Sequence, residues 1–212
     1  TKPRCIDLAF ADRYSVSLID SNMLNKLNGN QLTSLAQKFF NDTYTMDQFG
    51  CSSPNTIFWL GKNDLSKKKF WNELSKIVNQ KYDLDLSGAN KKISNLMNFS
   101  LNKKDKLKIN IDNFNLVTLK GNKFNFNNFD NINFLTFSEI NLSSINQLEK
   151  YTSEKLQTIT YYGIEFKTIK KFIIRNKIKG IDRVVPIGRA FDLTPEWDGV
   201  DIISTLSRTI GC

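Results

Sequence analysis

Apolar and polar residues alternate with a period of two over 5–10 and again over 14–19. Ile6, Leu8 and Phe10, then Tyr14, Val16 and Leu18, so share one side of an extended chain, as in a half-buried strand. Over 31–41 the period lengthens. Leu32, Leu35, Ala36, Phe39 and Phe40 stand at i, i+3, i+4, i+7 and i+8, which lays one apolar stripe along a helix. The polar loop Asp47-Gln48-Phe49-Gly50-Cys51-Ser52-Ser53-Pro54-Asn55 then leads into Thr56-Ile57-Phe58-Trp59-Leu60, whose apolar, β-forming residues predict a buried strand. A second helix is predicted over 65–80, with Phe70, Leu74, Ile77 and Val78 inward and the lysines outward.

The stretch 95–133 mixes Lys and Asn with short alternating pieces and predicts small strands and turns, with a further strand over 131–137. Ser144 and Gln147 have the spacing of a capping box that opens a helix ending near Ser153. Leu156 to Tyr162 predicts a strand. Phe166, Ile169, Phe172 and Ile173 mark a helix whose other face carries Lys170, Lys171 and Arg175, and Arg183 to Pro186 is a short strand stopped by proline. Asp198 is placed to cap a last helix with Ile202, Ile203 and Leu206 inward. Strands and helices alternate with no repeat and no Gly/Ser/Pro linker, so the expected fold class is α/β.

Composition narrows the chemistry. The 212 residues, 40% apolar and 12% aromatic, suffice to bury a core. There is no histidine, which excludes a Ser-His-Asp triad, a Cys-His pair, imidazole-dependent zinc sites and a histidine pH switch. The net charge of +9 would suit a polyanion, but the lysine runs (67–69, 91–92, 103–104, 170–171) are scattered and follow no nucleic-acid-binding pattern. Asp7, Asp12 and Arg13 are read as a surface ion pair of small worth. No nucleic-acid partner and no metal site are expected. Cys5, Cys51 and Cys212 form an odd, widely spaced set, which argues for free thiols and a reducing, cytoplasmic setting. No run near 18 apolar residues occurs, so no membrane span is expected. The chain opens Thr1-Lys2-Pro3-Arg4 without Met, and a piece of a longer protein is the expectation.

Two segments carry candidate chemistry. Cys51 sits on a polar loop between an amphipathic helix and an apolar strand. Gly50 beside it allows close approach to the backbone, and Ser52 and Ser53 offer hydrogen-bond donors. Such a loop can activate a thiol and stabilise an oxyanion, although a free cysteine can equally be a small buried filler. The segment from Gly188 to Asp201, with Arg189, Asp192, Trp197 and Asp198, is dense in shape-fixing residues. It reads either as the lining of a substrate cleft or as an ordered turn anchored by Trp197. Neither a Walker loop nor a GxGxxG run is present.

Gln48-Phe49-Gly50-Cys51-Ser52-Ser53-Pro54 resembles the catalytic-cysteine loop of the acyl-CoA reductase (LuxC) family, a branch of the aldehyde dehydrogenase-like proteins. Arg183-Val184-Val185-Pro186-Ile187-Gly188-Arg189-Ala190-Phe191-Asp192, followed by Pro195-Glu196-Trp197-Asp198-Gly199, resembles that family's closing motif. The resemblance implies an aldehyde dehydrogenase-like catalytic domain over 1–212, with the nucleotide-binding part outside the chain on its N-terminal side. It implies Cys51 as the nucleophile that takes the acyl group from an acyl-CoA thioester, NADPH as the hydride donor and an aldehyde as product, and it allows a homo-oligomer or an acyl-activating partner protein. Aldehyde-oxidising relatives activate water with a glutamate ahead of the cysteine; this chain has no Glu between Thr1 and Gly50, as a reductase requires. Two other readings stay open: a non-catalytic binding or scaffold domain with a basic surface, and a Cys51-dependent acyltransferase or thioesterase without nicotinamide.

Overall fold

A strand with apolar residues on both faces must be covered on both, and β1 (Tyr14–Asp20) is. Val16 and Leu18 join one core layer and Ile19 the other. The alternation predicted a strand wet on one side. Its polar positions are instead buried and partnered: the hydroxyls of Ser17 and Thr160 share a 2.6 Å hydrogen bond, and Ser15 Oγ donates to the Cys51 carbonyl at 2.6 Å. This computed structural model describes residues 6–8, 12–102, 108–120 and 134–208. Ile6, Asp7 and Leu8 belong to no strand, and the rest of the expected 5–10 strand, with Cys5 and Cys212, lies outside the described residues.

After β1 come α1 (Ser21–Leu24), α2 (Gly29–Tyr44), β2 (Pro54–Leu60), α3 (Asp64–Lys81), α4 (Leu86–Asn102), β3 (Lys108–Asn113), β4 (Leu116–Lys120) and β5 (Thr136–Leu142). A 3-10 helix (Ile145–Tyr151), β6 (Leu156–Tyr162), α5 (Phe166–Arg175), β7 (Arg183–Pro186), the hairpin β8 (Glu196–Trp197) and β9 (Val200–Asp201), and α6 (Ile202–Leu206) follow. Seven strands form one sheet in the order β3-β4-β5-β2-β1-β6-β7, parallel except for the antiparallel β3–β4 pair. Parallel neighbours need crossover connections, and α2 makes the one from β1 to β2.

α2 starts in a capping box between Asn28 and Gln31 and turns Leu32, Leu35, Ala36 and Phe39 onto the sheet. α3 adds Phe70, Trp71, Leu74, Ile77 and Val78 to the same layer, against Ile57, Trp59 and Phe137. Burying each such side chain stabilises by about 1.5–3 kcal/mol. Ile169 and Phe172 of α5 pack on the other face, leaving Lys170, Lys171 and Arg175 exposed. The buried carboxylate of Glu139 is held by the indole N–H groups of Trp59 (2.8 Å) and Trp71 (3.0 Å).

Four expectations are corrected. The part of 95–133 that falls on α4 is helical; its apolar residues are split between an exposed set (Leu86, Met97, Leu101) and a packed pair (Leu96, Phe99), so they make no single stripe. Ser144 makes no side-chain cap, because Gln147 Oε1 accepts instead from Ser143 N–H at 2.8 Å, and the element is a 3-10 helix. The last helix is capped by Asp201 rather than Asp198, and Ile203 and Leu206 are more than half exposed. Arg13 pairs with Asp182 at 2.5 Å and Asp12 with Lys155 at 3.2 Å rather than with each other. Among the described residues no helix is long and apolar enough to cross a membrane.

Candidate functional site

Cys51 lies just before β2, at the end of the sheet where the parallel strands begin, because α2 returns the chain to that end and a tight loop turns it back. The loop is tied down on every side. Asp47 and Gln48 take the left-handed conformation (φ 50° and 65°) that reverses the chain after the helix. The buried Gln48 amide pairs with the Thr136 backbone as a strand would: Nε2 donates to the Thr136 carbonyl at 3.2 Å, and Oε1 accepts from Thr136 N–H at 3.1 Å. Ser53 N–H donates to the Gly50 carbonyl at 2.8 Å, closing a turn around Cys51. Cys51 itself is half-buried, and no described residue accepts its N–H. Ser52 and Ser53 are buried. Ser53 Oγ donates to the Asp42 carbonyl at 2.8 Å, while Ser52 Oγ has no hydrogen-bond partner among the described residues.

The second segment runs beside the first. Gly188 has φ 97°, and a Cβ there would meet the Lys38 side chain of α2 at 2.8 Å. This turn aims two alternate N–H groups at one carboxylate: Gly188 donates to Asp42 Oδ2 at 2.6 Å and Ala190 to Oδ1 at 3.0 Å. From β7, the Arg183 guanidinium donates to the carbonyls of Ala190 and Asp192, each at 2.8 Å, and stacks over Trp197 with its carbon 5.1 Å from the ring centre. Arg189 and Asp192 form an exposed ion pair of 2.6 Å, a geometry usually worth little. Asp198 and Gly199 form the two-residue turn of the β8–β9 hairpin, both with positive φ. Asp198 accepts from the Gln157 amide and lies 3.8 Å from Arg13.

The fold thus joins Gly50, Cys51 and Ser53 to Gly188 and Arg189–Asp192, and reaches Trp197 through Arg183. Asp198 belongs to a neighbouring polar cluster with Arg13 and Asp182. Two contributors were missed: Asp42 and Arg183 as an organiser. Asp42 stands three residues after Phe39, on the apolar stripe of α2, and a carboxylate on a buried stripe was the legible signal. Burial pushes the Asp42 carboxyl up to about 6, while the Gly188 and Ala190 N–H groups hold it down, Asp192 raises it and Arg183 lowers it. Burial also lowers Arg183 from its usual value, opposed by the negative charges of Asp192 and Asp42.

A separate cavity of about 700 Å³, lined by Lys67, Lys68, Lys120 and Glu139, opens where β4 and β5 end, and none of the candidate residues reaches it. Among the described residues no three Cys, Asp or Glu side chains are grouped to hold a metal ion.

A family model described as acyl-CoA reductase (LuxC) matches residues 1–209. No curated protein matches the chain significantly. Solved structures share the fold. A NAD-dependent aldehyde dehydrogenase from Sinorhizobium meliloti superposes with a TM-score of 0.55 at 10% identity, over 87% of this chain and 38% of the other. A succinate-semialdehyde dehydrogenase from Burkholderia pseudomallei gives 0.53 at 13% identity, over 83% and 39%. The architecture is therefore the α/β fold of aldehyde dehydrogenase catalytic domains, and the chain spans about two-fifths of the length of those structures.

Proposed function

Because the chain belongs to the acyl-CoA reductase (LuxC) family, we propose that it is the thiol-bearing part of a cytoplasmic oxidoreductase that reduces a fatty acyl-CoA to an aldehyde through an acyl-Cys51 intermediate. The observation that carries this reading is the setting of Cys51: a part-buried residue in a tethered turn, with its own N–H accepted by no described residue. In the first half-reaction the thiolate adds to the thioester carbonyl. That N–H can donate to the oxygen as it gains charge, and CoA leaves as a thiolate when the carbonyl re-forms. One thioester replaces another, so no histidine is needed to protonate the leaving group.

Reduction needs a hydride donor, and the resemblance implies NADPH. The glycines of the two candidate segments do not open to a dinucleotide: Gly50 is filled by Phe191, Gly188 by Lys38 and Gly199 by Asp182. In this reading the donor is held mainly by parts of the fold these residues do not span. Acyl transfer from Cys51 without reduction draws on the same thiol setting and is the second reading.

Intact-mass measurement after incubation with a long-chain acyl-CoA tests both. A hydroxylamine-labile adduct, absent in Cys51→Ser, is expected. No adduct would sink both readings and leave a binding domain. Aldehyde that the full-length protein forms only with NADPH then separates reductase from transferase.

A further inference from the structure

Asp42 is hydrogen-bonded to both candidate segments. Its carboxylate accepts the Gly188 and Ala190 N–H groups, and its main-chain carbonyl, left open by the end of α2, accepts Ser53 Oγ two residues after Cys51. We propose that Asp42 is a positioning residue for the chemistry of Cys51, locking the 188–192 loop to the turn that presents the thiol. The proposal rests on the reading of Cys51 as the acylated nucleophile.

The geometry requires a carboxylate. Two N–H donors arrive from one side on two different oxygens, and an amide in its place would turn its NH2 toward one of them. Protonation of the carboxyl acts in the same direction: one oxygen becomes a hydroxyl donor and a weaker acceptor for its loop N–H. The lock then loosens, and with it the seat of Phe191 against Gly50. The charged groups that act on Asp42 are Arg183 on β7 and Asp192 on the loop, the latter also bonded to Arg189. Arg183 is bonded to loop carbonyls, so it braces the same loop from behind.

The test measures the rate of Cys51 acylation by palmitoyl-CoA and octanoyl-CoA in the chain, from about pH 5 to about pH 8, with iodoacetamide alkylation run in parallel. Thiol ionisation alone makes the logarithm of either rate rise with a slope of one. In the wild type the slope should steepen below about pH 6 as Asp42 is protonated. Asp42→Asn should react about tenfold to a hundredfold more slowly and keep a slope of one throughout, with Asp42→Glu in between. A folded Asp42→Asn that matches the wild type in rate and profile overturns the proposal. If neither acyl-CoA labels the wild type, the acyl-enzyme reading fails, and the alkylation rates still decide the role of Asp42 by the same comparison. Where Asp42→Asn does not fold, the wild-type alkylation profile decides: a uniform slope of one overturns the lock, and steepening below about pH 6 supports it.

Discussion

The ring of Phe191 fills the place of a side chain at Gly50: a Cβ built there would lie 2.7 Å from the ring's Cε1. This contact joins the closing loop to the residue before Cys51. Gly50→Ala should push the ring aside. Only its far edge must move, and Phe191 is part-buried, so the expected cost is about 1 kcal/mol. Phe191→Ala in the same chain should absorb the clash. Urea unfolding of the two single variants and the double variant should show a coupling of about 1 kcal/mol, and additive effects would contradict the contact.

Gly188→Ala should be the more damaging change. The backbone there is left-handed at φ 97°, and the new methyl would lie 2.8 Å from both Cβ and Cγ of Lys38. Those atoms sit close to the α2 backbone and cannot swing clear as a ring edge can. Strain and clash together should cost about 2–4 kcal/mol. An unfolding midpoint equal to that of Gly50→Ala would show that the loop can rebuild itself.

The helix stripes and the parallel strands were legible because burial on a regular element leaves a period in the residues. The stripe through Leu32, Leu35, Ala36 and Phe39 and the strand from Leu156 to Tyr162 both appear as expected. α4 was not legible, since half of its apolar residues face outward and its buried position 92 is a lysine. The pairing of the two loops was equally hidden. It depends on Asp42, 146 residues before Gly188, and on a turn whose N–H groups converge only in three dimensions. Asp198 shows the reverse error: an acidic residue just before a helix looks like a cap, yet three residues later Asp201 holds the Ser204 N–H at 3.0 Å.

The pH dependence of stability should carry the mark of Asp42. Its carboxyl is raised from 3.8 to about 6, chiefly by burial. A carboxyl raised on folding binds its proton better in the folded state. Its stabilising contribution is therefore complete below the unfolded value and is lost as pH rises through about 6. The shift corresponds to about 3 kcal/mol. Asp42→Asn does not titrate, so it should gain on the wild type by up to that amount from about pH 4 to about pH 7. Parallel stability curves for the two proteins would contradict the assignment.

Lys92 gives the opposite test, far from Cys51 in the sequence. Its side chain is 1% exposed; Nζ donates to the Phe114 carbonyl at 2.6 Å and sits 5.3 Å from the centre of the Phe114 ring. Burial brings the amine down from 10.5 to about 7. Between those values the unfolded chain holds a proton that the folded chain has released, so stability rises with pH across the window. Below about 7 both states are protonated and the whole penalty, roughly 4–5 kcal/mol, is in force. Lys92→Met keeps the apolar stem and removes the charge, at the cost of leaving the Phe114 carbonyl without that donor, about 1–3 kcal/mol. The variant should therefore match or exceed the wild type in stability near pH 7 and fall below it near pH 10. Urea unfolding at the two pH values reads this directly, and a wild type that leads by the same margin at both would show that the Lys92 charge is compensated where it lies.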